Sequence, residues 1–264
     1  MLKDIQSQQD FRNITIDKVG IKDILYPITL KDKAKGNQHT VAKINAYVQL
    51  PHNFKGTHMS RFVEILNGYR ENISISSFKL ILDELCEKLN SDEAHIEVYF
   101  PYFVEKVSPV SGQISLMDYE CGIIGSKSKD KKDFVLSVKV PVLSVCPCSK
   151  EISKYGAHNQ RSYVKIDIRY CKMVWIEELI EIAERSASAP IYALLKREDE
   201  KYITEKSYEN PVFVEDIVRN VAEKLIADDR ITWFEVSSEN QESIHNHSAY
   251  AVIMRDKRKG LVNP

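Results

Sequence analysis

The sequence lacks the features that mark membrane, secreted and nucleic-acid-binding proteins. None of its apolar runs approaches the roughly 20 residues that cross a bilayer, and residues 1–12 contain no signal-peptide core. The 37 basic and 38 acidic residues leave a net charge of −1, so no bulk attraction to nucleic acid or membrane is indicated. Five cysteines, an odd number and widely spaced except for one pair, do not form a disulfide framework. These absences predict a cytoplasmic protein that binds neither nucleic acid nor membrane.

The composition predicts a globular protein with a substantial core. The 264 residues suffice for one large domain or two small ones, and 43% are hydrophobic and 28% charged. Alternating apolar residues predict strands, and apolar residues at helical spacing predict helices. We expect a short strand with an irregular entry within residues 14–30 and a polar, irregular segment at 196–210. Further strands are expected at 40–50, 94–107, 114–124, 134–145, 162–171, 231–238 and 249–255, and helices at 61–69, 75–89, 175–187 and 211–228, the last with Pro211 in its first turn.

The predicted elements follow the order strand-strand-helix-helix-strand-strand in both halves of the chain. We expect a flexible arm at residues 1–13, a first module at 14–128 and a second module at 129–264. Strands joined by hairpins, with both helices of a module on one face, predict an α+β fold with mostly antiparallel sheets. A four-stranded sheet has open edges, so we expect the modules to assemble into oligomeric barrels.

The segment 144–161 concentrates the chemistry of the chain, with two thiols, an imidazole and an amide pair. Cys146 and Cys148 are one residue apart, which is not the two-residue gap of zinc knuckles or thioredoxin-like pairs. On a strand they would share a face, with Pro147 restricting the backbone between them. The pair is either a functional thiol site or incidental buried cysteine. His158 lies in a polar loop, where metal binding and acid-base work are both open to it.

Other polar residues allow both a structural and a functional interpretation. His245 and His247 would lie on one side of an extended segment, or in a solvated turn between the last two strands. Glu200 belongs to a charged stretch typical of a solvated loop, and Glu215 suits the first turn of a helix because of the helix dipole. A set of Cys, His and carboxylate ligands with a vacant position is how a catalytic divalent metal is held, although spacing does not show that these residues converge.

Four motifs together resemble one family, GTP cyclohydrolase IB. The longest runs from Ser144 to Arg161 and reads SVCPCSKEISKYGAHNQR. The others are Gly56–Phe62 (GTHMSRF), Tyr208–Asp216 (YENPVFVED) and Glu242–His247 (ESIHNH). They cover both halves of the chain, and the first is long enough to be highly specific.

The resemblance implies a tunnelling fold, in which paired strand-strand-helix-helix-strand-strand modules form barrels. It implies a homotetramer with active sites at the subunit interfaces. The expected reaction converts GTP and water to formate and 7,8-dihydroneopterin triphosphate, the first step of tetrahydrofolate biosynthesis, with a metal-bound water attacking C8 of the guanine.

The resemblance also implies roles for particular residues. Cys146, His158 and Glu200 become metal ligands, with Cys146 also counted as catalytic, and the ion is manganese, zinc, iron or magnesium. Glu215 becomes the anchor for the amide and amine edge of guanine. His245 and His247 become proton-transfer residues that Glu242 helps to orient. Lys150, Arg161 and Arg61 become triphosphate contacts. For Cys148 three roles stay open: a contact to the metal ligands, a structural role, or an alternative metal ligand.

Two rival interpretations stay open. One is a tunnelling-fold enzyme that uses a cysteine as a covalent nucleophile on a purine-like ring, as the nitrile reductases do with a nicotinamide cofactor. The motifs of those enzymes are not found in this sequence. The other is a non-catalytic, metal-stabilised oligomer that binds purines.

Overall fold

The structure, a computed structural model, describes residues 5–6, 8–69, 75–129 and 131–259. Their elements follow the predicted order, with additions in the second half. In chain order they are β1 (Ile16–Asp32), β2 (Gly36–Leu50), α1 (Met59–Gly68), α2 (Ile75–Leu89), β3 (Glu93–Val107), β4 (Ile114–Ser128), β5 (Lys131–Val145), α3 (Pro147–Ile152), β6 (Asn159–Tyr170), α4 (Ile176–Glu184), β7 (Ala189–Pro190), α5 (Arg197–Glu209), α6 (Val214–Ala227), β8 (Ile231–Asn240), β9 (Ala249–Asp256) and a 3-10 turn at Lys257–Lys259.

The first compact unit contains residues 1–101 and 122–136. Its strands are neighbours in the order β1-β2-β3-β4-β5, and β2 is antiparallel to both β1 and β3. Helices α1 and α2 contact each other and bury one apolar stripe each, as their spacing predicts. The buried residues of these stripes are Phe62, Ile65 and Leu66 on α1, and Phe78, Ile81, Leu82 and Leu85 on α2.

The second compact unit contains residues 102–121 and 137–264. Its strands are neighbours in the order β3-β4-β5-β6-β8-β9, and the short β7 pairs with β5. The pairs β6–β8 and β8–β9 are antiparallel. Helix α6 contacts α4, β8 and β9, so the core of this unit lies between the helices and the strands. Its buried helical residues include Leu179, Ile180, Ala183, Val218, Val221 and Leu225.

The prediction of an irregular segment at 196–210 is wrong, because this segment forms α5. The helix is polar on most of its surface, so it has no apolar stripe to announce it. Asp199, Ile203 and Ser207 nevertheless share one buried face at a spacing of four residues. Asp199 also accepts a hydrogen bond from the backbone N–H of Lys196 at 2.8 Å, which satisfies a free donor at the helix start.

Two other boundaries differ from prediction. Helix α6 begins at Val214 rather than at Pro211, because the residues before it bind the strands instead: the backbone N–H of Val212 donates to the carbonyl of Val145 at 3.2 Å. The first strand is long rather than short. Its irregularity comes from register shifts, and at Gly20 a side chain would collide with the carbonyl oxygen of Ala46.

The limits of the two compact units do not coincide with the ends of strands. Strands β3, β4 and β5 each contribute residues to both compact units, so the division at residues 128/129 stays a prediction about the repeat. The predicted flexible arm is tied down where it is described, since the carbonyl of Gln8 accepts from the N–H of Lys55 at 3.0 Å. Residues 1–4 and 7 of the arm lie outside the described residues. Across the described chain, no helix is both long and apolar enough to span a membrane.

Candidate active site

Cys146 and His158 lie side by side where β5 ends and β6 begins. The backbone N–H of Cys146 donates to the carbonyl of His158 at 3.1 Å. Ser149 joins the two residues a second time: its hydroxyl donates to the carbonyl of Cys146 at 3.2 Å and accepts the backbone N–H of His158 at 3.1 Å. Two of the three predicted metal ligands are therefore held together by hydrogen bonds of the main chain and of one serine.

The expectation that Cys146 and Cys148 share a strand face is wrong. Pro147 begins helix α3, a position that proline favours because its φ is already helical and no N–H is needed there. Cys146 precedes the helix and its Sγ accepts the backbone N–H of Ser149 at 3.5 Å. Cys148 lies inside the helix and is exposed, whereas Cys146 is partly buried. The two thiols thus have different surroundings.

The imidazole of His158 is held through its Nδ1 atom. Nδ1 lies 2.9 Å from Oε1 of Gln160 and 3.7 Å from Oε2 of Glu242. Gln160 is itself held, because its Nε2 donates to Oγ of Ser144 at 2.9 Å, and that oxygen lies 2.7 Å from Oγ of Ser162. The carboxylate of Glu242 contacts His158. Its expected role in orienting His245 and His247 stays a prediction.

Glu200 is the third predicted metal ligand. It is exposed in the first turn of α5. The other end of α5 is tied to α3 by Lys150, whose Nζ donates to the carbonyl of Tyr208 at 2.5 Å, and Glu200 is about 12 Å further along the helix. Among the described residues, no group of three or more His, Cys, Asp and Glu side chains is close enough to hold a metal ion.

Glu215 lies exposed in the first turn of α6, as predicted from the helix dipole. The hydrogen bond from Val212 to Val145 ties the chain just before this helix to the strand end that precedes Cys146. Glu215 is thereby attached to the same part of the unit as Cys146 and His158. Its role as a guanine anchor stays a prediction.

His245 and His247 lie in the segment between β8 and β9, as one of the two interpretations expected. Their rings are stacked with centroids 5.1 Å apart, and both residues are exposed. The base of the segment is fixed by the N–H of Gln241, which donates to the carbonyl of Arg161 at 3.0 Å. The next residue, Glu242, reaches His158, so this segment is anchored beside the Cys146–His158 pair.

The three predicted triphosphate contacts have different surroundings. Lys150 is engaged with Tyr208, through the carbonyl and at 4.4 Å from the ring centroid. Arg161 is exposed on β6 and lines a surface pocket that also contains Lys139 and Glu120. Arg61 belongs to α1 in the first unit, where its Nη1 donates to the carbonyl of Lys88 at 3.0 Å. All three roles stay predictions.

Sequence reasoning missed Gln160, Ser144 and Ser162. All three are buried, and they lie at the ends of strands whose other inward residues are apolar. The signal was available in β6, where an amide and a hydroxyl occupy the inward positions before Val164 and Ile166. Buried polar groups of this kind need hydrogen-bond partners. Here the three side chains bond to one another in series, and the last of them, Gln160, bonds to His158.

The architecture agrees with solved structures of the tunnelling fold. Uricase from Arthrobacter globiformis superposes with a TM-score of 0.54 at 9% identity, over 91% of this chain and 94% of that one. Urate oxidase from Bacillus sp. TB-90 gives a TM-score of 0.55 at 8% identity, over 92% and 100%. At such identities the likeness shows the fold alone. The chain is a tunnelling-fold protein, and the predicted α+β fold class is confirmed.

Sequence comparison shows the family. The family model described as "Type I GTP cyclohydrolase folE2" matches residues 2–251. GTP cyclohydrolase FolE2 of Geotalea uraniireducens is 60% identical over 100% of this chain and 97% of its own length. The FolE2 proteins of Nitrosomonas eutropha and Geobacter sulfurreducens are 60% and 57% identical, each over 98% of this chain and 97% and 100% of their own lengths. The chain belongs to the type I GTP cyclohydrolase FolE2 family, which confirms the resemblance seen in its motifs.

Proposed function

We propose that this protein is a metal-dependent GTP cyclohydrolase I, which converts GTP and water to formate and 7,8-dihydroneopterin triphosphate at the start of tetrahydrofolate biosynthesis. Family membership over the whole chain supports the substrate and the reaction. The observation that carries the site is the pairing of Cys146 with His158, whose Nδ1 is occupied by Gln160 and whose Nε2 is therefore the nitrogen left for a ligand.

Two neighbouring side chains, Cys146 and His158, are suitable ligands for a divalent metal ion. A thiolate and an imidazole are ligands of catalytic zinc and iron sites, and a thiolate binds these ions better than it binds magnesium. Manganese is also among the ions that we propose. The ion supplies Lewis-acid chemistry that makes water nucleophilic near neutral pH. We assign the third position to Glu200. It lies exposed in the first turn of α5, where its carboxylate is accessible to a metal ion.

The remaining residues bind GTP and move protons. The carboxylate of Glu215 accepts two N–H donors from the edge of guanine, and it discriminates against adenine, which lacks that donor pair. An imidazole of His245 or His247 donates a proton to the ring nitrogen that leaves when the bond to C8 breaks, since imidazole changes charge near working pH. Lys150, Arg161 and Arg61 bind the triphosphate through charge-assisted hydrogen bonds.

We include a homotetramer with active sites at subunit interfaces, and a cytoplasmic location, in this proposal. The edge strands support the assembly. Strand β1 ends the strand order of the first unit and β9 that of the second, and unpaired edges favour pairing with another copy. Along β9, Tyr250, Val252 and Met254 alternate as exposed apolar residues, which a subunit interface would cover.

Single variants test the ligand assignment. We expect Cys146→Ala, His158→Ala and Glu200→Ala to remain folded by circular dichroism but to lose bound metal and GTP turnover together. Cys171→Ala, which removes an exposed thiol elsewhere, is the matched control and retains both. Retention of metal and turnover in Glu200→Ala would remove Glu200 from the site. Loss of metal in Cys148→Ala would make Cys148 a ligand.

A further inference from the structure

A hydrogen-bonded chain of buried polar side chains ends on the imidazole ring of His158. It runs from Ser162 to Ser144, from Ser144 to Gln160, and from Gln160 to Nδ1 of His158, with separations of 2.7, 2.9 and 2.9 Å. Gln160 is 5% exposed and both serines are fully buried. Glu242 approaches the same Nδ1 atom at 3.7 Å, and its side chain is 13% exposed. Two polar side chains, one from β6 and one from the segment between β8 and β9, therefore converge on one nitrogen.

The chemistry of Glu242 and Gln160 determines that the proton of the neutral imidazole is on Nδ1 rather than on Nε2. The carboxylate of Glu242 is acceptor-only when ionised, so it favours an N–H at Nδ1. With the proton at Nδ1, Gln160 has to present its Oε1 to the ring, and its amide nitrogen then turns toward Ser144. Ser144 has a lone pair for that N–H and a proton for Ser162. Each of the three contacts then joins one donor to one acceptor, and the lone pair of the neutral imidazole is at Nε2.

A structural role alone does not explain Gln160. It occupies an inward position of β6, and the inward positions that follow include Val164 and Ile166. An apolar residue would fill such a position without the desolvation cost of an amide. The amide is useful only if its hydrogen bonds to His158 and Ser144 serve a purpose.

We infer that Gln160, assisted by Glu242, is a positioning residue that holds the Nδ1–H tautomer of His158 and so directs the Nε2 lone pair to a divalent metal ion. Because it takes His158 as a metal ligand, this inference rests on the proposed function. Groups that hold a ligand histidine in this way affect metal affinity by about 10- to 100-fold when they are removed.

The test measures metal affinity rather than turnover. The full-length protein is stripped of metal and titrated with Zn²⁺ against a competing chelator, and with Co²⁺ while its visible absorption is recorded. Gln160→Met removes both hydrogen bonds at similar volume, and we expect zinc affinity to fall about 10- to 100-fold, with an altered cobalt spectrum. Gln160→Glu keeps an acceptor for the Nδ1–H, and we expect it to restore zinc affinity to within a few-fold of the wild type.

Two further variants separate the possible failures. Gln241→Met changes an exposed glutamine next to Glu242 and should leave both titrations unchanged. His158→Ala should abolish tight binding. If His158→Ala loses zinc but folded Gln160→Met binds it as the wild type does, the inference is wrong and the proposed ligand survives. Equal losses in folded Gln160→Glu and Gln160→Met also overturn it. If His158→Ala binds zinc normally, the proposed ligand set itself fails.

Discussion

Asp199 accepts two hydrogen bonds from Ser111, one from the backbone N–H at 2.8 Å and one from the hydroxyl at 2.5 Å. The same carboxylate accepts the N–H groups of Val110 and Lys196, both at 2.8 Å. A buried acid thus ties the first turn of α5 to the turn between β3 and β4. Because Glu200 follows Asp199 directly, this contact fixes the end of α5 that carries the proposed third metal ligand.

The pH dependence of stability should reveal the Asp199 carboxylate. Burial raises its pKa, but the hydrogen bonds from Ser111, Lys196 and Val110 outweigh this and hold the pKa well below its usual range. The carboxylate therefore stabilises the folded state above its unfolded pKa of about 4, and the contribution is lost as the pH falls through the folded pKa. We expect Asp199→Asn to lower the free energy of unfolding at pH 7, as urea denaturation would measure.

The difference between wild type and Asp199→Asn should shrink as the pH falls from 6 to 3. In this range the unfolded wild type binds a proton at residue 199 while the folded carboxylate stays ionised, and the variant has no such group. Glu198→Gln, on an exposed neighbouring position, is the control and should follow the wild type. A difference that is the same at every pH would show that the ionised form of Asp199 is not what stabilises α5.

Lys106 and Glu184 form a largely buried ion pair in the second unit, and removing one partner should be costly. Nζ of Lys106 donates to Oε1 of Glu184 at 2.7 Å and to the carbonyl of Ile191 at 2.6 Å, and the two side chains are only 10% and 16% exposed. Removing one partner leaves a buried charge, so we expect Lys106→Met to cost about 3 kcal/mol of unfolding free energy in urea.

The matched control for that pair is Lys201→Met, whose partner Glu205 is one helical turn away with both side chains exposed. Exposed pairs contribute little, so its cost should stay below about 0.5 kcal/mol. Equal effects of Lys106→Met and Lys201→Met would contradict the importance of burial.

Gly156 sets the path of the chain from α3 to His158. Its φ of +110° lies in the region that residues with a side chain rarely adopt, and a Cβ there would meet nothing, so the constraint is purely one of backbone conformation. We expect Gly156→Ala to cost about 1–3 kcal/mol in stability or to weaken metal binding through a displaced His158. Gly68→Ala, at an ordinary φ with open space around it, is the control. Unchanged stability and metal affinity in Gly156→Ala would contradict this role.

The cysteines should differ sharply in reactivity toward a thiol reagent at pH 8. Cys148 and Cys171 are exposed and should react fast. Burial raises the pKa of the Cys121 thiol well above its usual range and raises that of Cys86, so both should react slowly. Added Zn²⁺ should protect Cys146 and leave Cys148 reactive, as peptide mapping of the labelled protein would show. Protection of Cys148 instead would exchange their assignments.

Helices and strands with a clear apolar period were predictable from the sequence, because the residues that specify them are close together in the chain. Helix α2, for example, has the predicted limits. Helix α5 was not predictable by that means. Its face is a mixture of Asp199, Ile203 and Ser207, and the main partner of Asp199 is a turn almost 90 residues earlier. The helix therefore depends on contacts that no local pattern contains.

The site shows the same division. The motifs identified Cys146 and His158, and the structure joins them through a main-chain hydrogen bond. The contacts that hold the ring of His158 were not identified, because Glu242 reaches it from the segment between β8 and β9 and the serines lie among apolar neighbours. Glu200 was proposed from the resemblance, and among the described residues no group of three or more possible ligands includes it.

Incubation of the metal-reconstituted protein with GTP tests the central claim most directly. Formate and a fluorescent pterin product should appear in equal amounts, without consumption of NADPH, and both should vanish on chelation and in the Cys146→Ala and His158→Ala variants. Tight GTP binding with no release of formate, or consumption of NADPH on a purine-like substrate, would contradict the assignment of a GTP cyclohydrolase.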